Sequence, residues 1–377
     1  MSIANASAYP RAEFDSQLAA IEGFAELLKN GFQNPENIRG SVKVAIPEYP
    51  DHSFIARYDD ELHVERSNLA RVTDTKVTIP INTIERIFKE FEFLDWRDPS
   101  VMSTISFEGD LHFANHLAKS CLRPNNFTQN RFAQVGEQHR RAGYKNLTGV
   151  EYLSQPTQLQ ILEAMQESRP VVITGLEPEP PCRDWSLDRL AEKYGDAIVR
   201  VRSATHRQNM REFVQELKAF EKDPYEKMIE GFVKPYTEGA ALPEEMWSDF
   251  GPLFFDREDF IPPQLWLGSV PTHTPTSSLH RDPYSGFLLQ VIGKKRLDLY
   301  SADQEELLYP HKAYNNYQPC WFKPEVPNFE TYPRAKEAKC LSVTLLPGQL
   351  LLQPAGWFHQ VYAVDSPNMS VSYFWRY

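Results

Sequence analysis

Apolar residues recur near helical spacing between residues 12 and 30, where Phe14, Leu18, Ile21, Phe24 and Leu27–Leu28 form the stripe of an amphipathic helix. The period then shortens to two. Ser41–Ile46 and Ser53–Arg66 alternate, the second broken by the turn-prone Asp59-Asp60 pair, and Lys76–Pro80 is again strand-like. Asn82 or Thr83 can cap a helix beginning near Ile84 that gathers Ile84, Ile87, Phe88 and Phe91 on one face. Ser103–Phe107 predicts a strand, Glu108-Gly109-Asp110 a turn, and Leu111–Leu122 a helix with Leu111, Ala114, Leu117 and Ala118 on one side. Residues 1–125 therefore read as an α+β domain.

The segment 126–150 is polar, basic and poor in large aliphatics, which predicts a linker or a meander laid over a neighbour. Beyond it, Arg169–Gly175 carries the apolar run of a buried strand, Ser186 can cap a helix reaching Tyr194, and Ile198–Val201 is a second strand. Residues 207–250 read as largely helical. From Leu265 onward the pattern becomes short strands separated by Pro, Gly and Asn turns, as in a sandwich or barrel. The stretch 151–377 is thus a second domain, all-β with helical decorations.

Length supports that division, because 377 residues exceed the size at which a single core usually stops growing. A hydrophobic share of 41% marks a globular chain rather than a disordered one. The net charge of −11 repels phosphate backbones and argues against nucleic acid as a partner; the basic cluster His139-Arg140-Arg141 with Lys145 is too short to offset it. Cys121, Cys182, Cys320 and Cys340 are scattered with no Cys-x-x-Cys pair, which argues against a disulfide scaffold and fits a reducing compartment. The amino terminus carries neither the basic nor the apolar region of a signal peptide, and no apolar run approaches the roughly 20 residues of a membrane helix. A cytoplasmic protein without a membrane span is the expectation.

The candidate chemistry lies in His280-Arg281-Asp282 and, 77 residues after Asp282 (359 − 282), in His359 of Pro354-Ala355-Gly356-Trp357-Phe358-His359. Residues two apart on a strand share a face, so His280 and Asp282 can point into one cavity. Two imidazoles and a carboxylate are the ligand set that holds non-haem Fe(II) with positions left open. Lys295 follows Asp282 by 13 residues (295 − 282), at the far end of a hairpin-like stretch. Strand parity puts it on one face with Leu297 and Leu299, while Arg296 and Asp298 take the other. A buried ammonium needs an anionic partner, and the distal carboxylate of an oxo-acid would be one. A His-x-Asp pair with a remote histidine is weak alone; the lysine and the Pro-x-Gly-Trp-x-His turn make it specific. His206, His273, His311 and the N-terminal histidines lack partners at ligand spacing and read as structural or surface residues.

These phrases resemble the JmjC/cupin-like 2-oxoglutarate oxygenases, particularly the protein-hydroxylase branch. The resemblance runs over about 150–377 through Leu265–Gly268, Ser277–Pro283, Gln290–Lys295, Leu308–Pro310, Pro347-Gly348 and Pro354–His359. It implies a double-stranded β-helix (the cupin/JmjC jelly roll) with Fe(II) on His280, Asp282 and His359. It further implies 2-oxoglutarate and O2 as cosubstrates, with Lys295 and Ser277 holding the distal carboxylate. Two positions depart from the family pattern: Phe232 stands where a tyrosine contacts the cosubstrate, and Gly286 where an asparagine lies near it. Tyr225 or Tyr236 can supply the missing hydroxyl.

The implied activity is hydroxylation of an unactivated C–H bond of a small molecule or protein. A JmjC-type demethylase, a non-oxidising metal-binding cupin and an inactive interaction protein are the alternatives. Lys76–Phe91 followed by Ser103–Leu122 resembles the closing strand–helix units of sterol-carrier-protein type lipid-binding domains. That likeness implies an apolar ligand, and hence a hydrophobic substrate, for the N-terminal domain; the other expectation is a scaffold or homodimerisation module.

Overall fold

The structure, a computed structural model, describes residues 16–66, 72–90, 99–176, 184–201, 206–222, 235–250 and 254–376. The chain divides into two compact units, one of Met1–Asn130, Tyr309–Phe322 and Asn328–Pro333, the other of Arg131–Leu308, Lys323–Pro327 and Arg334–Tyr377.

In the first unit, helix α1 (Gln17–Gly31) begins at Ser16, whose side chain accepts from the Ala19 N–H. Strands β1 (Gly40–Ala45), β2 (Phe54–Tyr58) and β3 (Leu62–Arg66) form two successive antiparallel pairs. A crossover then lays β4 (Thr75–Thr78) parallel to β1, and helix α2 (Ile81–Glu90), the short α3 (Pro99–Met102) and β5 (Ser106–Gly109) complete the order β3-β2-β1-β4-β5. Helix α4 (Leu111–Ala118) starts at Asp110, which caps the His112 N–H. Phe24, Leu27 and Leu28 of α1, Val42 and Val44 of β1, and Ile84 and Ile87 of α2 close one core over the sheet.

Three local expectations shift here. Leu18 is 39% exposed and stands off the stripe that Ala20, Ile21 and Phe24 bury. Helix α2 opens at Ile81 rather than Ile84, because the Glu48 carboxylate accepts from the Ile81 N–H, a cap supplied from 33 residues away. Thr83, expected as a cap, is buried and donates to Thr104 instead. Phe14 and Phe91 lie outside the described residues.

The second unit includes most of α5 (Asn126–Ala142), a helix of 17 residues in the segment expected to be a linker. Its Phe132, Val135 and His139 are buried at helical spacing. A histidine in the apolar stripe hid the period. Strand β6 (Glu151–Ser154), helix α6 (Gln158–Gln166), β7 (Val171–Thr174), α7 (Leu187–Tyr194), β8 (Ile198–Arg200), β9 (Arg207–Asn209) and α8 (Met210–Lys222) follow. Residues 235–250 carry only β10 (Ala240–Ala241), a 3-10 turn and the short helix Trp247–Phe250, so of the helical run expected over 207–250 the one long helix among the described residues is α8.

The remaining strands alternate between two sheets. Strands β11 (Gln264–Gly268), β13 (Gly286–Ile292), β17 (Leu350–Gln353) and β19 (Asn368–Phe374) stand in the order β10-β11-β19-β13-β17-β7-β6. Strands β12 (Pro275–Arg281), β14 (Lys295–Tyr300), β16 (Leu341–Leu345) and β18 (Phe358–Ala363) stand in the order β12-β18-β14-β16. The short β15 (Gln318–Pro319) falls in the first unit. This is a jelly roll of two stacked sheets. Lys295 therefore does not close a hairpin: β13 and β14 belong to different sheets, and Gly293-Lys294 carries the chain from one to the other. The first sheet is covered on both faces, by α6–α8 on one side and the second sheet on the other, hence its unbroken apolar runs such as Phe287–Leu289. Strand β16, with one face in water, keeps strict alternation from Leu341 to Leu345.

Candidate metal centre

His280 and His359 are direct cross-strand partners in the β12–β18 pairing, so two residues far apart in sequence meet with ring centroids 4.2 Å apart. Asp282 lies just past the end of β12. Its Oδ2 is 3.8 Å from His280 Nε2 and 3.6 Å from His359 Nε2. One ligand atom from each of the three lies within 4.8 Å of the others, and no second such cluster of His, Cys, Asp or Glu occurs among the described residues. The Asp282 carbonyl accepts from the Gly356 N–H at 2.8 Å, tying the two ligand-bearing turns together. Gly356 sits at φ +78, and a Cβ there would meet Val135 of α5 at 2.9 Å, so this turn tolerates only glycine.

Both imidazoles have their outer nitrogen beside a carbonyl. His280 Nδ1 lies 2.7 Å from Ser278 O, and His359 Nδ1 lies 3.2 Å from Trp357 O. A carbonyl only accepts, so His280 Nδ1 carries the hydrogen and its Nε2 turns a lone pair toward Asp282. At His359 the same tautomer satisfies Trp357 O, although the Gln353 amide nitrogen also approaches Nδ1 at 2.8 Å. In that tautomer each metal-binding histidine is oriented by its other nitrogen. Burial, and then the neighbouring His280, hold the His359 imidazole well below its ordinary range. Burial raises the Asp282 carboxyl, an effect that His280 opposes. Two neutral imidazoles and one carboxylate fit a divalent iron.

These residues line a cleft between the two sheets that is partly open to solvent. Lys295 lies in the same cleft, 2% exposed, and donates to the Ser370 hydroxyl across the inter-sheet space. Burial lowers its ammonium to about 7. The Ser277 and Tyr236 hydroxyls line this cleft too; both are sealed from solvent and make no hydrogen bond of ordinary geometry among the described residues. A buried ammonium beside two unsatisfied hydroxyls suits a small carboxylate.

The expected site residues His280, Asp282, His359, Lys295 and Ser277 thus share one cavity. Of the two departures, Phe232 and its neighbour Tyr225 lie outside the described residues, whereas Tyr236 does present its hydroxyl to the cleft. Gly286 lines the cleft without a side chain, and a Cβ there would meet Tyr373 O at 2.7 Å. Among the other histidines, His311 and His116 are held in the first unit by Trp321, with centroids 4.1 and 5.9 Å away. Two residues escaped the sequence reading. Arg281 is buried, pairs with Glu305 at 2.8 Å and lies over the rings of Phe132 and Phe358. Gln353 ends an apolar strand and reaches the His359 ring; the signal was a single polar residue after Leu350–Leu352.

A family model described as a cupin-like domain matches residues 156–377. The chain belongs to the cupin-like domain family. This cupin-like protein falls among the JmjC-like members, in the superfamily of iron- and 2-oxoglutarate-dependent oxygenases. It is 28% identical to lysine-specific demethylase 8 of Xenopus tropicalis over 217 residues, covering 55% of this chain and 48% of that protein. It is 33% identical to HSPB1-associated protein 1 of Homo sapiens over 145 residues, 37% of this chain and 28% of the relative. With Jumonji C domain-containing protein 5 of Drosophila melanogaster the figures are 34% over 113 residues, 30% and 27%. The aligned stretch thus spans about half the length, or less, of these curated relatives. No helix among the described residues is long and apolar enough to cross a membrane.

Proposed function

We propose that this cupin-like protein is an Fe(II)- and 2-oxoglutarate-dependent hydroxylase. The observation that carries the reading is one cleft with a His-Asp-His group at one position and the buried Lys295 ammonium at another. His280, Asp282 and His359 would hold the iron. Lys295, Ser277 and Tyr236 would hold the distal carboxylate of 2-oxoglutarate. The metal and cosubstrate supply the oxidation, in which O2 is spent in turning 2-oxoglutarate into succinate and CO2 and in placing one oxygen atom on a C–H bond. The chain's part is orientation and exclusion of water. Phe287, Leu288, Leu297, Val361 and Phe374 give the cleft apolar walls against which a hydrophobic substrate would lie.

The match to a protein named a lysine-specific demethylase favours a second reading, oxidation of an N-methyl group. Among the described residues Asp282 is the sole carboxylate in the cleft lining, and it is spoken for as a metal ligand, so none of them complements a methylated ammonium by charge. That favours an uncharged carbon. Succinate formed from 2-oxoglutarate, measured with Fe(II) and again with a chelator, tests the oxygenase reading. Iron-dependent succinate is expected, and its complete absence overturns the proposal. A product heavier by one oxygen atom marks the hydroxylase; a product that has lost a methyl group marks the demethylase.

A further inference from the structure

Gly286 and Gln353 face each other in register across the β13–β17 pair, so their side-chain positions share one face of the sheet. Position 286 has no room for a side chain, since a Cβ would lie 2.7 Å from Tyr373 O and 3.1 Å from the Phe374 ring. The Gln353 amide nitrogen lies 2.8 Å from Nδ1 and 3.1 Å from Nε2 of His359. In the tautomer that leaves Nε2 free for a metal, Nδ1 gives its hydrogen to Trp357 O and the ring takes the amide hydrogen at Nε2, the nitrogen that faces Asp282. A cation on Nε2 claims that lone pair and releases the amide hydrogen beside it.

We infer that the Gln353 carboxamide is a catalytic residue that donates to the carboxylate next to the keto group of a bound 2-oxo acid, from the strand opposite Gly286. This rests on the proposed 2-oxoglutarate site and adds to it the residue that reads the reacting end of the cosubstrate. A charge-assisted hydrogen bond from a half-buried amide is worth enough that its loss weakens binding by about ten- to a hundred-fold. Gln353→Leu removes the donor at nearly constant volume, and Gln353→Glu sets a like charge against the carboxylate.

The test is calorimetric titration of the full chain, first with Mn(II) as a redox-silent probe and then, on the Mn(II)-loaded protein, with 2-oxoglutarate. The leucine variant is expected to bind Mn(II) as the parent does and 2-oxoglutarate about ten- to a hundred-fold more weakly, with the glutamate variant weaker again. Two results overturn the inference: 2-oxoglutarate affinity equal to the parent's, or Mn(II) affinity lost along with it, which makes Gln353 a prop for the His359 ring. If the parent protein itself binds neither Mn(II) nor 2-oxoglutarate, the underlying site reading fails with it.

Discussion

At the scale of single residues, Lys295 carries the most information. Its parity with Leu297 and Leu299 was legible from the sequence, and the structure buries it as that parity requires. Its surroundings were not legible, because Ser370 arrives from another sheet 75 residues on. Burial lowers its pKa from 10.5 to about 7. Between those values the unfolded chain binds the proton that the folded one lacks, so this group makes the ligand-free protein more stable as pH rises through that window. A carboxylate bound beside Lys295 restores the charge. Binding of 2-oxoglutarate at pH 8 should therefore take up a proton, and affinity should fall as pH climbs above about 7. Titration in buffers of different ionisation heat measures that uptake. In Lys295→Ala the uptake should vanish and the affinity drop by orders of magnitude, from a loss of about 3–5 kcal/mol; unchanged affinity would show that the lysine does not hold the carboxylate.

At the scale of elements, the short strands and their turns were readable because Pro, Gly and Asn punctuate the chain from Leu265 onward. Their pairing was not, since period and turn chemistry do not tell a hairpin from a step between sheets, as β13 and β14 show. Helix α5 was missed for a physical reason. Its buried face contains His139, whose Nδ1 accepts from the Ala302 N–H and whose Nε2 meets Ser168 Oγ at 2.8 Å. Those two bonds make a polar residue serve as core, which no apolar count detects. The helix lies behind both ligand-bearing turns, with Phe132 on the Arg281 guanidinium at 4.1 Å and Val135 against Gly356. Phe132→Ala should cost about 3–5 kcal/mol of stability and lower the denaturant midpoint accordingly. A change below about 1 kcal/mol would mean that α5 is not a support of the site.

At the scale of the molecule, the sequence suggested a break near residue 125, whereas the first unit also recruits Tyr309–Phe322 and Asn328–Pro333. Gln33 Oε1 accepts from the Lys312 N–H at 2.5 Å and from Trp321 Nε1 at 3.2 Å, partners nearly 300 positions away that no local pattern announces. This unit contains a small, partly open apolar pocket lined by Phe24, Leu28, Val44, Val77, Ile79, Phe107, Ala114, Leu117, Ala118 and Cys121. Its apolar walls are the feature that an acyl chain would use. A fluorescent fatty-acid probe is expected to bind the full chain saturably, and Ala114→Phe, which fills the cavity, to abolish that binding while leaving succinate formation intact. Non-saturable uptake, or binding indifferent to the filled cavity, would leave the unit as a scaffold.

On the proposed reading His280, Asp282 and His359 jointly hold iron. Anomalous diffraction at the iron edge, from crystals grown or soaked anaerobically with Fe(II) and 2-oxoglutarate, tests it most directly. One strong peak is expected, bounded by the Nε2 atoms of His280 and His359 and the Asp282 carboxylate, and absent from an Asp282→Ala crystal treated alike. Iron elsewhere in the molecule, or none at these three residues in the parent protein, would contradict it.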